Sequence, residues 1–266
     1  MAEKQSSFTT KPKKIASTGE FAWGGESGWA DEIETSENIS TQDGSIHPTV
    51  LPPTTVSHFD ATQLNLTDGE EVTRWHDQVN GNDLSGSGPT YIAEGMNTNP
   101  VVRFERPGSD LLTAPIGTFQ QPNTVIVVFS PDADTLSNGG VVTDSNDVGK
   151  AHGWRWAEGA SEWDNFDENG VDDGGGVGVA GENYIMGIVW TQDTGTIRQN
   201  GTEIAQPTLT NGNALVDFVI GDDRNHPNDP FGGDYAEIIV YDSHLTTDEF
   251  VSEEQRLSDK WGIALS

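Results

Sequence analysis

From residue 51 to the C-terminus, short apolar runs alternate with clusters of Gly, Asn, Asp and Pro. That punctuation predicts short strands joined by turns. TVIVVF (124–129) is continuously apolar and β-branched, as a central strand covered on both faces should be. NYIMGIVW (183–190) and ALVDFVIG (214–221) read the same way, and AEIIVYD (236–242) supplies the last strand. TIRQNGTEI carries Asn200-Gly201 between strand formers. A type I′ turn needs positive φ at both central residues, so a hairpin is predicted there.

One helix breaks this pattern. Thr246 and Glu249 have capping-box spacing, and Asp248 adds negative charge to the first turn. Phe250, Leu257 and Trp261 then recur at spacings of seven and four, on one face, and Gly262 follows as a C-cap.

Residues 1–50 read differently. They are rich in Ser, Thr, Gly and Glu, show no sustained period, and stop at the breakers Pro48, Pro52 and Pro53. Phe21, Trp23 and Trp29 stand among glycines in FAWGGESGWADEI. Three aromatics in a segment too short for its own core predict docking, preferably onto a neighbouring subunit as an assembly arm, otherwise onto the chain's own sandwich. The chain therefore divides into a docking arm (1–50) and an all-β domain (51–266), a two-sheet antiparallel jelly-roll sandwich with one short C-terminal helix.

Charge changes the picture next. Asp and Glu number 43 against 13 Lys and Arg, a net charge of −30. Of six lysines, Lys4, Lys11, Lys13 and Lys14 lie in the first fourteen positions, leaving only Lys150 and Lys260. Such a chain repels itself in dilute buffer, whereas molar salt cuts the Debye length to about 3 Å, so a halophilic setting is expected. Eight Trp and ten Phe supply the core that a disordered acidic chain lacks. Without cysteine, neither disulfides nor thiolate metal sites are available. The first residues hold no apolar stretch that could serve as a signal peptide, and no segment approaches the ~20 apolar residues of a membrane span. Nucleic acid is not an expected partner, because so acidic a surface repels phosphate; the basic first fourteen residues are the local exception.

GGDYAEIIVYDSHLTTDEFVSEEQRLSDKWGI resembles the closing strand, capped helix and Lys-Trp-Gly terminus of the laminin-G-like branch of the concanavalin A-like lectin/glucanase superfamily. Earlier pieces fit in order: Trp75 with HDQVNGNDL, VVRF (101–104), NTVIVVF, the IRQNGTEI hairpin and FVIGDD. The resemblance spans about 55–263 and implies the fold; lectins, adhesins, hydrolases and viral structural proteins all use it.

Several constellations could carry chemistry. Retaining β-glucanases of this superfamily carry a Glu-x-Asp-x-x-Glu or Glu-x-Asp-x-Glu strand that aims a nucleophile and an acid/base at one sugar. Here Glu162 and Asp164 match, and the third carboxylate falls on Asp167 or, out of phase, on Glu168. A strand across 160–168 facing a groove would favour hydrolysis; a loop would count against it. NGVDDGGG, which follows, reads as a loop tip. Asn165, Asp167, Asn169, Gly170 and Asp173 overlap this segment with the spacing of a calcium loop, although Gly176 stands where the bidentate glutamate belongs. Calcium or another hard cation is the one cofactor expected, against a plain solvated acidic loop. Trp154 and Trp156 alternate with Arg155, so on a strand both rings share a side; with Trp163 they would form a stacking platform for a sugar, or else fill the core. Asp222, Asp223 and Asp229, in the loop 221–234, could hold a sugar hydroxyl or a cation.

The preferred expectation is a non-enzymatic virion surface component, assembled without a signal peptide in the cytoplasm of a halophilic host. It would be a capsid decoration, turret or tail-associated spike, with other virion structural proteins as partners through the arm. Host surface glycans are expected against the outward-facing sandwich, and a homo-oligomer, guessed as a trimer, is expected overall. The alternatives are a glycoside hydrolase using Glu162, Asp164 and Asp167, or a secreted carbohydrate-binding or adhesion module.

Overall fold

A computed structural model describes residues 51–266 apart from 53, 106–109, 134–139, 144–152, 158–161, 168–169, 177, 192–193, 209–213 and 222–229, with the strands between 140 and 174 described as backbone. The arm residues Phe21, Trp23 and Trp29 lie outside the described residues. In chain order the strands are β1 (Thr55–Asp60), β2 (Arg74–Trp75), β3 (Leu84–Ser87), β4 (Thr90–Met96), β5 (Asn99–Phe104), β6 (Leu111–Phe119), β7 (Asn123–Pro131) and β8 (Gly140–Thr143). They continue with β9 (Gly153–Ala157), β10 (Glu162–Asp167), β11 (Gly170–Gly175), β12 (Tyr184–Trp190), β13 (Gly195–Gln199), β14 (Thr202–Ala205), β15 (Leu215–Ile220) and β16 (Gly233–Tyr241), and helix α1 (Thr247–Trp261) closes the chain.

Among the described residues these strands form two antiparallel sheets of eight. One runs β14-β13-β12-β7-β16-β5-β4, with β1 also paired to β16; the other runs β11-β10-β9-β8-β15-β6-β3-β2. The expected two-sheet antiparallel sandwich with a C-terminal helix is what forms.

Burial explains the unbroken apolar runs. Every residue of β7 and β12 is buried. Val125, Val127 and Phe129, with Met186, Ile188 and Trp190, join the intersheet core around Phe59, Trp75 and Phe218. Ile126, Val128, Ile185 and Val189 face a second core built on Phe250, Leu257 and Trp261. The first sheet is covered by the second sheet on one side and by α1 on the other, so period-two alternation is lost. β15, in the sheet without a helix, is only partly of this kind: Val216 and Asp217 are half-buried.

Local chemistry matches the expectations at both marked turns. Asn200 (φ 46°) and Gly201 (φ 87°) take the positive φ that the β13–β14 hairpin needs. Thr246 caps α1 through the Glu249 N–H, and the Glu249 carboxylate accepts the Thr246 N–H at 2.8 Å. Gly262 ends the helix at φ 65°. The close approach of α1 to β12 depends on Gly187, where a Cβ would sit 1.9 Å from Phe250 Cζ.

β16 carries a bulge. Tyr235 pairs with Phe129 and Glu237 with Val128, leaving Ala236 as an extra residue. Up to Tyr235 the other edge of β16 pairs with β5; from Glu237 onward that same edge pairs with β1. Tyr235 and Ile238 both face the intersheet core, so the bulge turns Glu237 toward α1. Strict alternation from Tyr235 would send the carboxylate into that core instead.

Candidate functional site

Three places in the sandwich gather chemically active side chains. The first lies under α1. Asp60 and Glu237 stand directly opposite each other on β1 and β16, a cross-strand pair of like charges that repel unless a cation intervenes. Lys260 Nζ supplies it, donating to Asp60 Oδ2 at 2.7 Å and to Glu237 Oε2 at 2.6 Å. Arg256 Nη2 donates to Glu237 Oε1 at 2.8 Å and to Glu253 Oε1 at 2.6 Å. Trp261 Nε1 donates to Glu237 Oε2, and His58 Nε2 meets Glu237 Oε1, both at 2.7 Å. Burial pushes the fully enclosed Glu237 carboxyl up, but Lys260, Arg256 and His58 hold it well below the usual carboxylate range. His58, Asp60 and Glu237 have metal-ligand chemistry, with donor atoms within 4.8 Å of one another. The Lys260 ammonium already bridges the two carboxylates, so the cluster is a closed lock that fastens α1 to the sheet. Lys260 is one of only two lysines beyond residue 14, the one trace of this lock visible in the sequence.

The second place is the rim where β5 and β7 end and β16 begins. A groove of about 540 Å³ opens there. Arg103 and Asp234 pair directly in the β5–β16 ladder, and Arg103 Nε and Nη2 donate to the two Asp234 oxygens at 2.7 Å each. This fork raises the Arg103 pKa further. Asp132 is held by its N–H to the Gly232 carbonyl at 2.9 Å, and Gly181 by its N–H to the Pro131 carbonyl at 2.8 Å. A Cβ at Gly233 would lie 2.2 Å from the Ser130 carbonyl, so the rim closes only around glycine. Sequence reasoning missed this groove, because its residues come from four separate segments. Asp222, Asp223 and Asp229 lie outside the described residues.

The third place is the ladder β9–β10–β11 at the end of the second sheet, where most of the sequence-derived candidates fall. Trp154 and Trp156 lie on β9; Glu162, Trp163, Asp164, Asn165 and Asp167 lie on β10. The register sets Trp156 opposite Trp163, Arg155 opposite Asp164 and Trp154 opposite Asn165. Segment 162–167 is thus a strand and not a loop.

Two expectations are corrected by this ladder. NGVDDGGG is not a loop tip: Gly170–Gly175 is strand β11, paired Asp167–Gly170, Phe166–Val171 and Asn165–Asp172. The calcium spacing therefore runs along a hairpin, with Asn165 and Asp167 on one strand and Asp173 on the other, in place of a twelve-residue wrapping loop; Asn169 is outside the described residues. The register shift lies on β11, and β10 keeps an unbroken register with β9. Glu162 and Asp164 are consequently in phase, while Asp167 is out of phase with both; Glu168, the other candidate for the third carboxylate, lies outside the described residues.

No family model matches the sequence, and no curated protein matches it. Several solved structures share its fold. A sialidase of Trypanosoma rangeli is 13% identical with a TM-score of 0.52, over 85% of this chain and 36% of the sialidase. Domain 4 of AbnA, a GH43 extracellular arabinanase from Geobacillus stearothermophilus in complex with arabinotriose, is 14% identical with a TM-score of 0.53, over 74% of this chain and 97% of that domain. A GH54 α-L-arabinofuranosidase is 12% identical with a TM-score of 0.54, over 71% of this chain and 51% of its own. The chain thus spans about a third of the sialidase it matches. These likenesses are of fold. They correct the non-enzymatic expectation, since the sandwiches this chain is similar to belong to glycosidases, and they lend the virion expectation nothing. No described helix is long and apolar enough to cross a membrane.

Proposed function

We propose that this chain is a glycan-acting β-sandwich of the glycosidase type, which seats a saccharide across β9 and β10 and cleaves it with Glu162 and Asp164. The observation that carries the reading is the unbroken β9–β10 register, which puts Glu162 and Asp164 on one sheet face together with Arg155, while Trp154, Trp156 and Trp163 share the other face. A carboxylate pair divides the work of acid and of base or nucleophile, and Arg155, opposite Asp164, adds a hydrogen-bonding residue on the same face. In-phase positions on a strand are about 6.6 Å apart along the backbone, close to the spacings at which two carboxyl groups flank a glycosidic bond. The glycosidase sandwiches sharing the fold support the same assignment, and the arabinanase domain with arabinotriose supplies a first test saccharide.

The test is hydrolysis and binding by the full chain in molar salt, with arabino-oligosaccharides, other neutral oligosaccharides and sialyllactose. Product release is read by chromatography and binding by NMR shifts of the β9 and β10 amides. Glu162→Gln or Asp164→Asn should slow product release by at least about a hundredfold while leaving the binding shifts in place. Absence of both cleavage and binding across the panel would overturn the proposal.

A further inference from the structure

The rim groove is independent of the β9–β10 ladder, and its chemistry selects a ligand. Its volume of about 540 Å³ suits one or two sugar rings. The charged groups lining it are Arg103 against Glu105, Asp132 and Asp234, and the Arg103 guanidinium is already committed to Asp234. The surplus is negative, within a chain of net charge −30, so carboxylated sugars and phosphates are repelled. The one aromatic residue in the lining, Phe104, is buried at 1% exposure, so no ring face is offered for stacking. What remains is a wall of hydrogen-bonding groups: a planar guanidinium–carboxylate fork, with Arg103 the more exposed partner (42% against 14%), and the Asp132 carboxylate. With Nε–H and one Nη2–H committed to Asp234, a vicinal pair of hydroxyls can accept from the remaining Nη1 and Nη2 hydrogens of Arg103 and donate to the outer lone pairs of the carboxylates.

We infer that this groove is a second saccharide site, one that takes a neutral sugar by its hydroxyl edge and excludes sialic and uronic acids. Capture by hydroxyls in a concave rim, without stacking, suits the terminal unit of a chain better than an internal one. The site would hold the end of a glycan whose body lies elsewhere.

The experiment is an NMR titration of the full chain in molar salt with arabinotriose, and separately with 3′-sialyllactose. It follows the Gly181 and Gly233 amides for the groove and the Arg155 and Asp164 amides for the ladder. The expected result is saturable arabinotriose shifts at the two glycines with Kd on the order of a millimolar, and none there with sialyllactose. Arg103→Met and Ala180→Trp should each weaken these shifts at least tenfold. The second variant fills the groove from an exposed position and leaves the Arg103–Asp234 fork intact, so it reads binding even where the first disturbs the fold. Arabinotriose shifts confined to the ladder amides would overturn the groove while leaving the proposed function standing. Groove shifts without ladder shifts would do the reverse. No saturable glycine shift, unchanged binding in both variants, or preference for the sialoside would each overturn the inference.

Discussion

Asp234 and Glu237 lie three residues apart on β16, and each carboxylate is gripped by an arginine. Asp234 answers to Arg103 at the open rim, where the guanidinium is 42% exposed. Glu237 answers to Arg256, Lys260, His58 and Trp261 with no exposure of its own. The bulge at Ala236 separates them by turning Glu237 under the helix. One chemical motif is therefore put to two uses, and burial decides which. An exposed fork contributes little to stability and keeps its outer hydrogen-bonding edge free for a ligand. An enclosed one is costly to assemble, cannot be dismantled piecemeal, and has nothing left to offer from outside. All five Lys and Arg side chains described take part in ion pairs, so in this acidic protein cations are committed to particular carboxylates.

The sharpest way to break the comparison is Glu237→Gln. It leaves Lys260 and Arg256 facing each other without the carboxylate between them, and should cost about 3–5 kcal/mol in a urea titration performed in molar salt. A cost near that of Arg103→Met would remove the distinction. Gly187→Ala comes next. It pushes a methyl group into the Phe250 ring and should cost about 1–3 kcal/mol by lifting α1, without altering the rim. Thr246→Ala removes the helix cap and should cost about 1 kcal/mol. Arg103→Met should cost least, about 1 kcal/mol, since the guanidinium is 42% exposed and the Asp234 carboxylate keeps some access to water at 14%.

Acid sharpens the same contrast. The folded Glu237 carboxyl sits below its unfolded value, so its contribution is fully present above about pH 4.3 and is lost as pH falls from there toward the lower folded value. Melting temperatures followed downward from pH 6 should drop more steeply for the parent than for Glu237→Gln. Equal slopes would show that the carboxyl is not held low.

How much of this was legible depended on whether one residue's pattern decided its neighbours' geometry. TVIVVF, NYIMGIVW, the Asn200-Gly201 turn and the Thr246–Glu249 cap are local signals, and each formed as its own residues dictate. GVDDGG has weak strand propensity by itself and became β11 because β10 offers it a ladder, a partner that local reading cannot see. Asp167 misled for a related reason: its spacing fits a glucanase motif only on a strand bulged at that point, and the shift fell on β11 instead. The lock was hidden most deeply. His58, Asp60, Glu237, Arg256 and Lys260 are scattered over 200 positions, and the bulge that unites them inverts the phase expected for Glu237.

That bulge also marks a seam. The outer edge of β16 passes from β5 to β1 at Ala236, so the two neighbours can leave the strand separately. If β1 detaches first, hydrogen–deuterium exchange along β16 should show a step: faster labelling after residue 236 at amides turned toward β1, with those before it still protected by β5. The strand would then behave as two segments with their own opening rates, joined at a residue that pairs with neither neighbour.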